Sequence, residues 1–122
     1  MPELSDSRVE TETLSDGVVV VGVYGEVDLH FAPELRDRLT AVIDDGATRV
    51  LVDLSNTVFI DSMGLGVLLG STKRMRAEGH QLELIVTRPE IRRIFEITML
   101  DDVLVIHSSR ELALGNRNSG TV

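Results

Sequence analysis

A continuous apolar run near the middle of the chain, followed by a helical repeat, restricts the fold more than any other feature. Residues 50–54 read VLVDL, which is a nearly unbroken apolar run of strand length. Such a run suits a strand covered on both faces, as in a parallel sheet. After a loop, apolar side chains recur at helical spacing from Leu65 to Met75, and Gly79 provides a stop. The sequence therefore predicts a strand–helix unit of an α/β fold.

The beginning of this predicted helix is unusual because it contains three glycines, Gly64, Gly66 and Gly70. Each glycine destabilises a helix interior by roughly 1 kcal/mol relative to alanine. One explanation is that small residues let the helix lie close to the sheet or to a neighbouring helix. The other is that they leave Ser62 open to a partner. Both explanations are compatible with the sequence.

Two polar residues compete for the position that caps this helix, Asp61 and Ser62. A capping side chain accepts a hydrogen bond from a backbone N–H one turn further on, which is worth about 1 kcal/mol. If one of the two residues caps the helix, the other is free for another role. A serine at a helix N-terminus is also a favourable place for a phosphate group.

The rest of the chain alternates between strand and helix patterns. The predicted elements are a hairpin of strands at 9–13 and 18–24, a turn at 25–28, a helix from Pro33 to Gly46, a strand at 81–86, a helix from Pro89, a buried strand at 103–106 and a short helix at 109–114. This order predicts a mixed, mostly parallel sheet with an antiparallel edge strand and about four helices. We expect one domain at residues 8–114, a flexible N-terminus at 1–7 and a flexible tail at 115–122.

Composition excludes several classes of function. The formal net charge of −8 argues against direct nucleic-acid binding, which needs a basic surface. The absence of cysteine excludes disulfides, thiol catalysis and thiolate zinc sites. The sequence has no signal peptide and no apolar run long enough to span a membrane, which predicts a soluble, cytoplasmic protein with no membrane association. The acidic balance favours a basic partner surface or serves solubility alone.

The chain lacks the motifs of the enzyme classes that its glycines and serine suggest. A dinucleotide fingerprint requires a third glycine where Leu69 stands, and no P-loop motif is present. The serine-hydrolase elbow requires a glycine two residues before the serine and another two residues after it. Gly64 meets the second requirement, but Ile60 stands where the first glycine would be. The histidines lie in separate segments without metal-ligand spacing, at His30, His80 and His107. We therefore expect no enzyme activity, no cofactor and no metal.

Three separated motifs resemble one known family. Residues 59–70 read FIDSMGLGVLLG and resemble the signature of the STAS domain, in particular the D-S-x-G-L-G motif of bacterial anti-sigma factor antagonists. Residues 25–28, GEVD, are similar to the family's G-E-[LIV]-D turn, and residues 89–95, PEIRRIF, to a downstream helix. The resemblance extends over about residues 8–114 and implies a STAS-like fold.

The resemblance implies a regulator that switches between partners. In this family the unphosphorylated protein binds an anti-sigma factor that is also a serine kinase, and thereby releases a sigma factor. The kinase phosphorylates the motif serine, which corresponds to Ser62, and a serine phosphatase removes the phosphate. The residues expected to bind the partner are Asp28, Asp61, Ser62, Met63, Gly64, Leu65 and Gly66.

Two of these positions have features of their own. Asp28 is either a turn or capping residue, as is common after a strand, or it lies beside the phosphorylation site and contacts the kinase. Met63 occupies a position where relatives often carry serine or threonine. Ser62 is therefore the one hydroxyl acceptor in the motif, and Met63 is a candidate for influencing kinase choice.

The expected mechanism is a change of charge at Ser62. A phosphate adds about −1.5 to −2 charges at neutral pH, next to Asp61 and near Asp28, so the docked complex is lost while the fold persists.

Two other functions are compatible with the sequence. One is a structural STAS subunit of a transporter or signalling assembly, in which the serine only caps a helix, and the other is a binder of a small molecule or nucleotide.

Overall fold

The computed structural model describes residues 7–119, with side chains for residues 7–115. Of the predicted flexible N-terminus, residues 1–6 lie outside the described part. Ser7 is held in place, since its hydroxyl donates to the Glu26 carbonyl at 2.8 Å and accepts from the Glu26 N–H at 3.0 Å. Of the predicted tail, residues 120–122 also lie outside. Residues 115–119 continue the last helix, so the prediction that this helix ends at residue 114 is wrong.

The described chain forms one mixed sheet with helices on both faces. The strands are β1 Arg8–Ser15, β2 Val18–Val27, β3 Arg49–Ile60, β4 Gln81–Ile85 and β5 Val105–His107. The α-helices are α1 Ala32–Asp44, α2 Ser62–Ala77, α3 Pro89–Ile97 and α4 Arg110–Ser119, and a 3-10 turn spans Leu100–Asp102. The strand order is β1-β2-β3-β4-β5, with β1 and β2 antiparallel and the other pairs parallel. This architecture confirms the predicted fold class.

The main core lies between the sheet and the first three helices. Helix α1 contributes Leu35 and Leu39, α2 contributes Leu68, and α3 contributes Phe95, all fully buried against sheet residues such as Val52. Apolar side chains at three- and four-residue spacing give each helix one face for this core, and their burial is the main stabilising term. The sheet therefore holds α1 and α2 side by side on one face.

A smaller cluster on the opposite face anchors α4. Ala113 is fully buried against Val20, Leu51 and Ile85, and Leu114 packs beside it. The Ser109 hydroxyl caps the helix by accepting a hydrogen bond from the Leu112 N–H at 3.0 Å, as the sequence predicts. The helix thus starts from a capped and anchored first turn, which explains why it continues past residue 114.

The middle strand is much longer than its apolar run predicts. Residues 55–60, predicted as a loop, continue β3 and pair with the end of β2, where Val27 is the register partner of Ile60. Thr57 fits inside because its buried hydroxyl donates to the Val23 carbonyl at 2.9 Å. The predicted turn at 25–28 is likewise strand as far as Val27, with a bulge at Gly25, whose φ is +89°. The two strands therefore end together.

The last strand differs from its prediction in burial. The buried strand predicted at 103–106 is the edge strand Val105–His107, which pairs with β4 alone. Val103 precedes the strand, and both Val103 and Val105 are exposed. Exposure alternates along this segment, with Leu104 buried and Ile106 partly buried, so an apolar run of four residues overstates its burial.

Candidate functional site

The candidate site lies where β2 and β3 end at the same edge of the sheet. Val27 and Ile60 are register partners, so the residues that follow them, Asp28 and Asp61, leave the sheet from adjacent positions. The Asp61 N–H donates to the Val27 carbonyl at 3.1 Å and ties the two chain segments together. The loop before α1 and the first turn of α2 therefore form one continuous edge.

Asp61, and not Ser62, caps helix α2. Its Oδ1 accepts hydrogen bonds from the N–H groups of Met63 at 2.9 Å and Gly64 at 3.1 Å. Ser62 is the first residue of the helix and is exposed. The competition between the two residues is thus resolved by Asp61 taking the capping role, which leaves Ser62 accessible at the helix start.

Asp28 has the role of a turn residue before helix α1. Its Oδ1 accepts from the N–H groups of His30 and Phe31, both at 3.0 Å, and its carbonyl accepts from the Ala32 N–H at 2.8 Å. These bonds fix the entry into α1. The structural explanation for Asp28 is therefore correct, and its contact with a partner remains a prediction.

The three glycines of α2 have different surroundings. A Cβ atom at Gly64 would lie 2.7 Å from Val27 Cγ1 and 2.8 Å from Ile60 Cγ1, closer than packed carbon atoms approach. At Gly66 and Gly70, a Cβ would have no described atom within 4 Å beyond the helix backbone and chain neighbours. Gly64 thus permits close packing on the sheet, while Gly66 and Gly70 leave open space. The close-packing explanation is therefore correct for Gly64, and it remains a prediction that Gly66 and Gly70 leave Ser62 open to a partner.

The predicted partner-binding residues separate into two layers. Ser62, Met63 and Gly66 are exposed, whereas Gly64 and Leu65 are buried. Because Leu65 belongs to the main core, its side chain supports the surface from beneath and is not part of it. Gly64 and Leu65 pack inward in the protein on its own, and their contact with a partner remains a prediction.

Exposed apolar side chains surround this edge and form what we call the apolar rim, Leu29, Val58, Phe59 and Met63. They are 59%, 50%, 45% and 52% exposed, respectively. Only Met63 was expected from the sequence to bind a partner, because residues 55–60 read as a loop. The sequence did contain one sign of this apolar surface, which is the pair Val58–Phe59 shortly before Asp61 and Ser62. Apolar side chains grouped at one edge are typical of protein–protein contact sites.

A groove of about 390 Å³ runs between α1 and α2 from this edge. Ser62, Gly66 and Gly70 line its α2 side, and Arg36 lines its α1 side. Arg74 lies in the same groove twelve residues along α2 from Ser62, and the hydrogen bond that it donates to Asp44 raises its pKa. The groove therefore contains two cations and an accessible hydroxyl. Arg36 is a functional candidate that the motif comparison did not indicate.

A second polar cluster lies on the opposite face of the sheet, beside α4. Arg49 Nη2 donates to Glu83 Oε1 at 2.8 Å and to the Ala113 carbonyl at 3.0 Å, and His107 Nε2 lies 2.8 Å from Glu83 Oε1. Burial alone would raise the pKa of Glu83, but the hydrogen bonds from Arg49 and His107 outweigh it and hold the pKa below its usual value of 4.5. This cluster is buried and joins β3, β4, β5 and α4.

Within residues 7–119, no group of three or more His, Asp or Glu side chains is placed to hold a metal ion. None of the helices in this part of the chain has both the length and the apolar character required to cross a membrane.

Comparisons with known proteins agree with this geometry. The sequence model of the STAS domain matches residues 10–113. An anti-sigma-B factor antagonist of Staphylococcus aureus is 35% identical over 105 residues, covering 86% of this chain and 96% of the relative.

Two solved structures share the fold. An anti-sigma factor antagonist from Mycobacterium paratuberculosis has a TM-score of 0.82 at 30% identity, covering 91% of this chain and 93% of that one. The Bacillus cell fate determinant SpoIIAA in its phosphorylated form has a TM-score of 0.70 at 24% identity, covering 89% and 98%.

Proposed function

The chain belongs to the STAS domain family, and we propose that it acts as an anti-sigma factor antagonist. In this proposal the unphosphorylated protein binds an anti-sigma factor that is a serine kinase and so frees a sigma factor. The observation that carries the proposal is the placement of Ser62, exposed at the start of α2 while Asp61 supplies the cap. The names of the similar proteins support the same role. The action is regulatory, without catalysis or a cofactor, and takes place in the cytoplasm, where sigma factors act.

The partner would contact the sheet edge through the apolar rim. Leu29, Val58, Phe59 and Met63 supply exposed apolar area, and Ser62 lies among them at the helix start. Burial of apolar area stabilises such a contact by about 25 cal/mol per Å² before the losses of association. Asp28 and Asp61 border the rim and favour a partner with basic side chains around its apolar centre. A kinase that must reach Ser62 Oγ would use the same edge.

Phosphorylation of Ser62 would end this contact through charge. The kinase transfers the γ-phosphoryl group of ATP to Ser62 Oγ, the hydroxyl proton passes to a base, and ADP is released. The product carries about −1.5 to −2 charges at neutral pH and lies beside the Asp61 carboxylate. In a contact that excludes water, this charge would lack a partner and be strongly unfavourable. A serine phosphatase would restore the binding form.

The experiment that tests this function measures binding of the cognate anti-sigma kinase to three forms of the protein. We expect Ser62→Ala to bind as the wild type does, and Ser62→Asp to bind at least tenfold more weakly, which corresponds to about 1.4 kcal/mol. The matched control is Ser108→Asp, which adds the same charge at an exposed serine after β5. Equal affinities for Ser62→Ala and Ser62→Asp in calorimetry would contradict the proposal.

A second measurement separates this function from a structural STAS subunit. The protein is isolated from its native host and analysed by mass spectrometry for phosphate on Ser62. We expect a phosphorylated fraction that changes with growth conditions, and co-purification of a serine kinase with the unphosphorylated fraction. An unmodified Ser62 in a permanent assembly would instead indicate the structural role.

A further inference from the structure

The start of α2 has few free donors for a phosphate on Ser62. The N–H groups of Met63 and Gly64 already donate to the Asp61 carboxylate, at 2.9 and 3.1 Å. The Leu65 N–H donates to the Asp61 carbonyl at 3.0 Å. A phosphate on the neighbouring Ser62 would therefore meet the occupied N–H groups and the negative charge of Asp61. Apart from the N–H of Ser62 itself, its donors would come from outside the first turn of the helix.

The groove beside Ser62 supplies such a donor from helix α1. Arg36 and Ser62 line the same groove, on its two opposite sides. The ion pair that Arg36 makes with Asp37 is long, with 4.0 Å between Nε and Oδ1, and both side chains are more than half exposed. A pair with this geometry contributes little. The Arg36 guanidinium is thus available to a stronger anion.

The other arginine of the groove is already engaged. Arg74 donates a hydrogen bond to Asp44, and its Nε lies 3.8 Å from Glu78 Oε2. It is also separated from Ser62 by twelve residues, or about 18 Å of helix. Arg36 is therefore the more weakly engaged arginine of this groove.

We propose that Arg36 binds the phosphate of phosphorylated Ser62 across the groove between α1 and α2. This inference rests on the proposed function, because it concerns the phosphorylated form. A guanidinium binds a phosphate through two parallel hydrogen bonds, which gives the pair a defined geometry. The pair joins α1 to α2 and covers the groove where it opens at the apolar rim. Phosphorylation then closes a docking surface in addition to adding charge beside Asp61.

Phosphorus NMR of the phosphorylated protein tests the pair directly. Phosphoserine is incorporated at position 62 during synthesis, and the pKa of its second ionisation is read from the pH dependence of the phosphorus signal. A nearby cation favours the dianion and lowers this pKa. We expect Arg36→Gln to raise it by about 0.2 to 0.7 pH unit relative to the unsubstituted phosphoprotein, and Arg36→Lys to raise it less.

The matched control is Arg93→Gln, which removes the same charge from an exposed position on α3. We expect this control to leave the pKa of the phosphate unchanged. Equal values for Arg36→Gln and Arg93→Gln would overturn the proposed pair. Because the phosphoserine is installed without the native kinase, this result is independent of the kinase-binding experiment. Failure of one proposal is therefore distinguishable from failure of the other.

Discussion

The edge around Ser62 and the cluster around Glu83 both contain carboxylates held by hydrogen bonds, yet they differ in what the bonds leave free. At Glu83 the carboxylate pairs with both Arg49 and His107 in a largely buried site, and only Nη1 of the Arg49 guanidinium has no hydrogen-bond partner among the described residues. At the edge, Oδ1 of Asp61 caps the helix while the neighbouring Ser62 hydroxyl remains exposed. The Glu83 cluster therefore serves folding, whereas the Ser62 hydroxyl at the edge is accessible from outside. Substitutions in the two regions should therefore affect different measurements.

The largest effect on stability is expected from Glu83→Gln. The amide keeps the shape of the side chain but removes its charge and leaves Arg49 without a counter-ion in a largely buried site. Breaking a buried pair from one side is destabilising by about 3 kcal/mol or more. Urea denaturation at pH 7 measures the free energy of unfolding. Glu96→Gln, in an exposed pair with Arg92 at 3.8 Å, is the control and should change it by less than about 0.5 kcal/mol.

The same cluster gives a pH dependence with a defined sign. The pKa of Glu83 is lower in the folded protein than its usual value of 4.5, so its ionised form stabilises the fold above that pH. This stabilisation decreases as the pH falls below 4.5 through the folded pKa. The difference in unfolding free energy between wild type and Glu83→Gln should shrink over this interval. If the difference in unfolding free energy stayed constant from pH 7 to pH 3, ionisation of Glu83 would not account for the loss of stability.

The next largest effect is expected from Gly64→Ala. The new methyl group would lie within 3 Å of Val27 and Ile60 side-chain atoms, so the helix or the strands must shift. Overpacking of this kind is destabilising by about 1 to 3 kcal/mol, and the better helix propensity of alanine offsets about 1 kcal/mol of it. We expect a net loss in unfolding free energy on denaturation. Unchanged stability would mean that this part of the edge adapts easily.

Gly70→Ala should have the opposite sign in the same helix. Its Cβ would meet open space on the groove side, so alanine should stabilise the protein by about 1 kcal/mol through helix propensity alone. Thermal denaturation of the Gly64→Ala and Gly70→Ala variants side by side measures the contrast. If both variants were destabilised, the groove would not be open space, and the distinction between the two glycines would be lost.

The smallest effect on stability is expected from Met63→Ala, which removes an exposed side chain of the apolar rim. The free energy of unfolding should change by less than about 0.5 kcal/mol. Affinity for the anti-sigma kinase should instead fall by roughly five- to thirtyfold, as for a well-placed contact residue. Calorimetry and denaturation on the same preparation measure both quantities. Unchanged affinity would exclude Met63 from the contact.

Much of the fold was predictable because periodic apolar patterns determine which residues are covered. The run at residues 50–54 and the helical repeat after it identified β3 and α2. The extension of β3 to Ile60 was not predictable, because residues 55–60 carry no regular pattern. Their conformation is set by pairing with the end of β2, which is a long-range contact.

The sequence predicted where the site lies, but not which of its residues are exposed and which are buried. The motif located Ser62 and its neighbours, yet sequence spacing alone did not reveal that Gly64 and Leu65 face inward. Arg49, Glu83 and His107 come from three separate strands, so nothing local joins them before the sheet forms. The same applies to Arg36, which lines the same groove as Ser62 only because α1 packs beside α2. These relations depend on tertiary structure.

The hydrogen bond from the Asp61 N–H to the Val27 carbonyl has a consequence for timing. It attaches the serine-bearing turn directly to the paired ends of β2 and β3, where Val27 is the register partner of Ile60. With the turn held in this way, phosphorylation or dephosphorylation of Ser62 should not require a slow rearrangement of the backbone. The response time of the protein would then follow from how quickly enzymes add and remove the phosphate, and from the lifetime of the complex.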